Sequence, residues 1–217
     1  MTIAVLGGTG SEGSGLAVRW AASGYKVIIG SRSPERAEMR AKELNAIIGA
    51  EVISGMGNFD AATQADLVVL TVPYSAHKDT LEAVRDALRG KILIDVTVPL
   101  QPPKVRTVHL PPGQSAALEA QALLGEEVRV VAAFQNVSAE HLADPQGLID
   151  CDVLVCGNDR EAKEQVLRLV EAAGMRGYDA GVLQNAIAVE SLTPVLISLN
   201  SRYKSKRAGI RITGLDA

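Results

Sequence analysis

The sequence predicts an α/β fold, a doubly wound and mostly parallel sheet with a small α/β C-terminal part packed on it. Three observations carry this. An apolar run, Ile3-Ala4-Val5-Leu6, stops abruptly in Gly7-Gly8-Thr9-Gly10-Ser11-Glu12-Gly13. Strand-like and helix-like patterns then alternate along the chain. Segments such as Leu67-Val68-Val69-Leu70 are continuously apolar, as strands covered on both faces are.

Gly8, Gly10 and Gly13 fit G-x-G-x-x-G, the Rossmann dinucleotide turn. The first glycine permits the tight turn, the second lets backbone approach a pyrophosphate, and the third lets helix pack on strand. The helix that follows offers unpaired N–H groups and a partial positive charge to an anion. The second strand, Tyr25–Ile29, leads into Gly30-Ser31-Arg32-Ser33-Pro34-Glu35-Arg36. A fold selecting NAD places an acid about 20 residues after the glycines to accept from the ribose 2′-OH. Here that tip carries Arg32 instead, which binds a 2′-phosphate bidentately, with Ser31 as hydroxyl donor and Arg36 one helical turn on. The reading is NADP(H) over NAD(H). Ser33-Pro34 also reads as an ordinary helix start, with Arg36 then a solvated side chain.

Further along, a helix is expected over 33–49 with Ala37, Ala41, Leu44 and Ile48 on one face. Strands are expected at 51–54, at 67–72 (stopped by Pro73), at 91–94, 128–133 and 152–156. Helices are expected at 76–89, near 115–124 and at 159–173. Residues 185–203 read as an apolar helix interrupted and kinked by Pro194, and Ile210-Arg211-Ile212 as a short last strand. The expected division is 1–150, an NADP-binding domain, and 151–217, a small C-terminal part packed directly on it. In such sheets ligands lie beyond the carboxyl ends of the strands. Those ends, 8–13, 31–32, 71–74, 95–99 and 134–138, are expected to converge on one crevice.

The 217 residues carry a formal net charge of −3, so no broad basic surface for nucleic acid is expected. No stretch approaches the ~18 apolar residues of a membrane span, and the first apolar run is too short for a signal peptide. A cytoplasmic protein is expected. Cys151 and Cys156, five residues apart on a strand, point to opposite faces roughly 16 Å apart and read as buried thiols, not a disulfide. His109 and His141 have no partner at metal-ligand or triad spacing, and no metal site is expected.

Tyr74-Ser75-Ala76-His77-Lys78 matches Y-x-x-x-K, the acid/base pair of short-chain dehydrogenases. It falls directly after Pro73, much earlier than that pair stands, so Tyr74 is read as bordering the cofactor and Lys78 as facing solvent or phosphate. Asp95, ending a strand, either orients a substrate ring or caps a turn.

The set Val5-Leu6-Gly7-Gly8-Thr9-Gly10, Gly30-Ser31-Arg32, Ser54-Gly55-Met56, Val155-Cys156-Gly157-Asn158-Asp159, Asp179-Ala180-Gly181 and Glu190-Ser191-Leu192-Thr193-Pro194 resembles NADPH:coenzyme F420 oxidoreductases over nearly the whole length. The resemblance implies reversible hydride transfer between nicotinamide C4 and deazaflavin C5. It implies that Gly8, Thr9, Gly10, Ser11, Glu12 and Gly13 hold the pyrophosphate side, and Ser31, Arg32 and Arg36 the 2′-phosphate. Val72, Tyr74, Lys78, Val98, Pro99 and Ala139 would complete the cofactor site. Gln135, Asn136, Val137, Ser138, Arg207 and Ala208 would form the deazaflavin pocket. Archaeal members carry His at the position of Gln135, which can donate a hydrogen bond but cannot carry a proton. No catalytic acid or base is needed, because both redox cofactors bring their own chemistry. Arg202, Lys204, Lys206 and Arg207 either receive the anionic tail of the deazaflavin or are a solvated helix end. A homodimer is expected. The rival readings are an NADPH-dependent reductase of a quinone, imine or ferric chelate, and a non-enzymatic NADP sensor.

Overall fold

The computed structural model describes residues 1–215. Its eight strands form one sheet in the order β3-β2-β1-β4-β5-β6-β7-β8. The first half alternates without exception: β1 (Thr2–Leu6), α1 (Ser11–Ala22), β2 (Lys26–Ser31), α2 (Pro34–Ile48), β3 (Ile53–Gly57), α3 (Asn58–Gln64), β4 (Leu67–Leu70), α4 (Tyr74–Val84) and β5 (Ile92–Asp95). After a long loop come α5 (Ala116–Leu124), β6 (Arg129–Ala132), α6 (Ala139–Leu142), β7 (Asp152–Gly157), α7 (Arg160–Ala172), β8 (Arg176–Asp179) and α8 (Ala186–Tyr203). The strands β1 to β6 are parallel, β7 runs antiparallel to β6, and β8 is parallel to β7. Residues beyond 151 thus extend the same sheet.

Alternation along each strand divides the core in two. Ile3 and Val5 of β1 pack with Trp20, Leu16 and Leu169 on one face. Ala4 and Leu6 pack with Leu81, Val84 and Leu88 on the other. Cys151 and Cys156 are buried free thiols in opposite cores, as the strand geometry requires. α2 starts as expected, with Ser33 Oγ accepting from Arg36 N and Pro34 in the first turn. Its Ala37, Ala41 and Leu44 are buried.

Four expectations are corrected. The third strand lies at Ile53–Gly57, two residues beyond 51–54, because Asn45 takes up the preceding turn: its Oδ1 accepts from Val52 N and Ile53 N (3.1 and 2.9 Å). Gly55 inside that strand is a close-approach residue; a Cβ there would stand 2.2 Å from the Ala37 carbonyl carbon. The helix expected at 76–89 begins at Tyr74 and closes at Val84 into a 3-10 turn, Arg85–Leu88. Pro194 does not interrupt α8, which runs unbroken through it to Tyr203. Ile210–Ile212 is not a strand: Asp152 N donates to Ile210 O (2.9 Å), but Ile212 N is taken by the Asp152 carboxylate (2.6 Å), so a side chain replaces the ladder. The short polar β8 and α3 carried too little periodicity to be read.

A buried arginine ties α1 to the turns around α6 and to the end of α7. Arg19 of α1 donates to the carbonyls of Ala173 (2.7 Å), His141 (2.9 Å), Gly147 (2.9 Å), Leu142 (3.3 Å) and Asp144. The guanidinium fork thereby satisfies the turns around α6, which carry few backbone partners of their own.

Candidate active site

The strand order reverses between β1 and β4, and the crevice above that point is a groove of about 680 Å³. Its floor is the glycine turn. Gly7 takes φ +74°, a Cβ on Gly8 would lie 2.7 Å from Val5 O, and one on Gly13 2.4 Å from Thr71 Oγ1. These three glycines are demanded by the protein's own backbone and packing. Gly10 differs: a Cβ there would meet nothing nearer than Gly7 O at 3.6 Å. Its smallness serves the groove side, as the approach of backbone to a pyrophosphate requires. No side chain caps α1, so its first-turn N–H groups remain available to an anion.

Thr9, Gly10, Ser11 and Glu12 line this end of the groove, and Ser31, Arg32, Ser33 and Arg36 line the other. Both arginines are exposed. The neighbouring acid Glu35 is occupied by Ser33 Oγ, which donates to it at 2.7 Å. That donor set fits a phosphorylated dinucleotide: uncapped amides at the pyrophosphate position and two guanidinium groups at the ribose.

Two polar groups at the groove are orphaned. Glu12 is half-buried, but its Oε1 is enclosed without a hydrogen-bond partner, and burial pushes its carboxyl up to about 8. Asn58, which the sequence reading did not single out, also lines the groove with its Oδ1 unpartnered.

The far wall comes from the ends of β4 and β5. Val72, Val96, Thr97 and Val98 line it, whereas Pro99 does not. The structure places Tyr74 and Lys78 elsewhere. α4 turns Ala76 and Thr80 to the groove, so Tyr74 and Lys78, offset around the helix, border a separate apolar cavity against α5. There Tyr74 Oη donates to Glu119 (2.8 Å). Burial and that carboxylate both push the phenol up, which holds it protonated.

The segment 134–139 lies outside the groove lining. Phe134 adopts φ +73° and packs edge-on against Trp20, at 5.7 Å between ring centroids. Gln135 and Asn136 are buried: Gln135 Nε2 donates to Asp95 O, Asn136 Nδ2 to Asp152 O, both at 2.8 Å. Their side-chain oxygens have no partner. Val137 is buried beside them. Ser138 Oγ donates to Lys206 O (2.8 Å), His141 lies 3.2 Å from Arg207 O, and Ala208 N donates to Asn200 Oδ1. Ser138 and His141, at α6, are thereby joined to Lys206 and Arg207. Of the basic run, Lys206 pairs with Glu140 (3.2 Å) and Arg211 with Asp150; Arg202, Lys204 and Arg207 are exposed.

Behind the wall lies a buried charged cluster that the sequence reading largely missed. Asp95 does cap the turn, Oδ1 accepting from Thr97 N (2.9 Å), and its Oδ2 lies 2.7 Å from His77 Nε2. Glu190 of α8 accepts from the amides that open α5. The available signals were a histidine on the apolar face of α4 and one acid in the apolar stretch 186–201.

The family model for coenzyme F420-dependent NADP oxidoreductases matches residues 2–99. The F420-dependent NADP reductase of Methanothermobacter thermautotrophicus is 46% identical over 99% of this chain and 96% of its own length. The chain belongs to the F420-dependent NADP reductase family. The reductase of that name from Methanocaldococcus jannaschii is 45% identical over the full length of both chains. A crystal structure from Arthrobacter sp. FB24, provisionally named an F420-dependent NADP-reductase, superposes with a TM-score of 0.80 at 28% identity, covering 97% of this chain and 98% of that one. Among the described residues of this family member, no cluster of three or more His, Cys, Asp or Glu is placed to hold a metal ion. Among the same described residues, no helix is long and apolar enough to cross a membrane.

Proposed function

We propose that this chain transfers a hydride reversibly between NADP(H) and coenzyme F420 in the cytoplasm. The single observation carrying this is the groove itself: an uncapped glycine-turn helix at one end, Arg32 and Arg36 at the other, in a chain of this family. The nicotinamide and the deazaflavin supply the two-electron chemistry. The protein's part is to bind, orient and exclude water. Ser31, Arg32 and Arg36 take the 2′-phosphate; Thr9 to Gly13 take the pyrophosphate side; Val72 and Val98 flank the ring. Gln135, Asn136, Val137, Ser138, Arg207 and Ala208 bound the deazaflavin, and the exposed cations of 202–207 attract its anionic tail. A homodimer is supported by α8, which exposes Val195, Leu199 and Tyr203 at helical spacing; sedimentation at micromolar concentration tests it. The decisive assay is NADPH-dependent bleaching of oxidised F420. No turnover with F420, alongside turnover of a quinone, imine or ferric chelate, would overturn the assignment.

A further inference from the structure

Asp95 stands where three parts of the molecule meet. It ends β5 and is fully buried. Its Oδ1 holds Thr97 N, inside the wall formed by Val96, Thr97 and Val98. Its Oδ2 pairs with His77 Nε2 on α4 at 2.7 Å, and its main-chain oxygen accepts from Gln135 beyond β6. The wall is thus held at Thr97 N by one carboxylate, beside the Val96 N to Leu70 O bond (3.1 Å) and the Thr97 Oγ1 to Val72 O contact (3.5 Å), and that carboxylate pairs with one imidazole, itself buried. An unpaired buried charge is costly, so the pair keeps its short geometry only while His77 donates.

We propose that Asp95 is a positioning residue for the dinucleotide, setting the wall Val96–Val98 through Thr97, and that its His77 partner makes dinucleotide binding proton-linked. This rests on the reading of the groove as an NADP(H) site. The groups facing His77 are Asp95 from β5, Glu119 from α5, Glu190 from α8 and, on α4 itself, the stacked Tyr74 ring. Burial pulls the imidazole down, but the Asp95 charge and hydrogen bond, with Glu119 and Glu190 behind them, leave it above its ordinary value. His77 therefore keeps its proton to a higher pH than a free imidazole does. Once neutral, it holds Asp95 less tightly, and the wall loosens. Reciprocity then requires that bound NADPH strengthen proton binding at His77.

The chain has three histidines, so labelled imidazoles can be followed individually by NMR. In the wild-type protein, saturating NADPH should move the His77 midpoint upward while His109 and His141 barely move. Asp95→Asn should lower it. As pH rises through the measured His77 midpoint, the NADPH Kd of the wild type should weaken about tenfold, and that of His77→Gln, which keeps a donor but cannot titrate, should weaken less. The variant comparison removes contributions from the cofactor's own phosphate and from Glu12. A His77 midpoint indifferent to NADPH, or an unchanged pH slope in His77→Gln, overturns the proposal while leaving the groove assignment standing. Failure of NADPH to bind at any pH overturns both. Should His77→Gln fail to fold, the free and loaded wild-type midpoints decide alone, assigned through His109→Gln and His141→Gln.

Discussion

The carboxylate of Glu190 accepts from the amide of Ala116 at 2.7 Å, across 74 residues of chain. Its second oxygen takes Ala117 N at 3.0 Å, so one side chain satisfies two of the unpaired donors that open α5. Burial nevertheless pushes this carboxyl up to about 8, against those bonds. Glu190→Gln turns an NH2 donor toward one of the two amides. The expected loss is about 1–3 kcal/mol of unfolding free energy, the cost of a buried donor left unmade. Urea denaturation measures it, and an unchanged midpoint would show that water reaches the start of α5.

Glu12 has no counter-charge, and its carboxyl is raised from an ordinary 4.5 to about 8 by burial. A carboxyl raised on folding binds more protons in the folded state across that interval. Its contribution is therefore full below the lower value and is lost as pH rises toward the upper one. His77, also raised, acts in the same direction. Stability should decline from pH 5 to 9, and Glu12→Gln should flatten the decline. Melting temperatures at five pH values suffice, and a slope unchanged by the substitution would refute the assignment to Glu12.

Arg32→Ala should erase most of a preference for NADPH over NADH of at least about tenfold in kcat/KM. One charge-assisted contact is worth about 1.5–3 kcal/mol. Turnover at saturating cofactor should hardly change, since the 2′-phosphate is remote from the reacting carbons. Equal use of both nucleotides by the wild type would remove the basis for this reading.

Tyr74→Phe and Lys78→Ala should each retain activity within about tenfold, under roughly 1.4 kcal/mol. Both side chains face α5 and not the groove. A thousandfold fall in kcat for either would reinstate the short-chain acid/base pair.

Gly55→Ala should destabilise the fold by about 1–3 kcal/mol, because backbone cannot yield as a side chain can. The added methyl would meet Ala37 carbonyl atoms at 2.2 and 2.3 Å. Thermal unfolding checks it, with Gly24→Ala as a control for left-handed backbone alone, since no atom lies within 4 Å of a Cβ there.

What was legible in the sequence was local. An apolar run against a glycine turn specifies strand, turn and helix from adjacent residues, and repeated it specifies a parallel sheet and its crevice. The absence of an acid beside Arg32 is likewise readable within one turn, and those residues do line the groove. Tertiary structure decided what depends on direction and distance. Which face of α4 meets the groove set Tyr74 and Lys78 apart from it, because a helix offers neighbours on every side and sequence spacing does not say which is covered. His77 met Asp95, Glu190 met α5, and Arg19 met the turns around α6 only once the sheet had brought segments 18 to 154 residues apart into contact. A buried polar side chain seeks whatever unpaired group packing leaves nearby, and packing is a property of the whole chain.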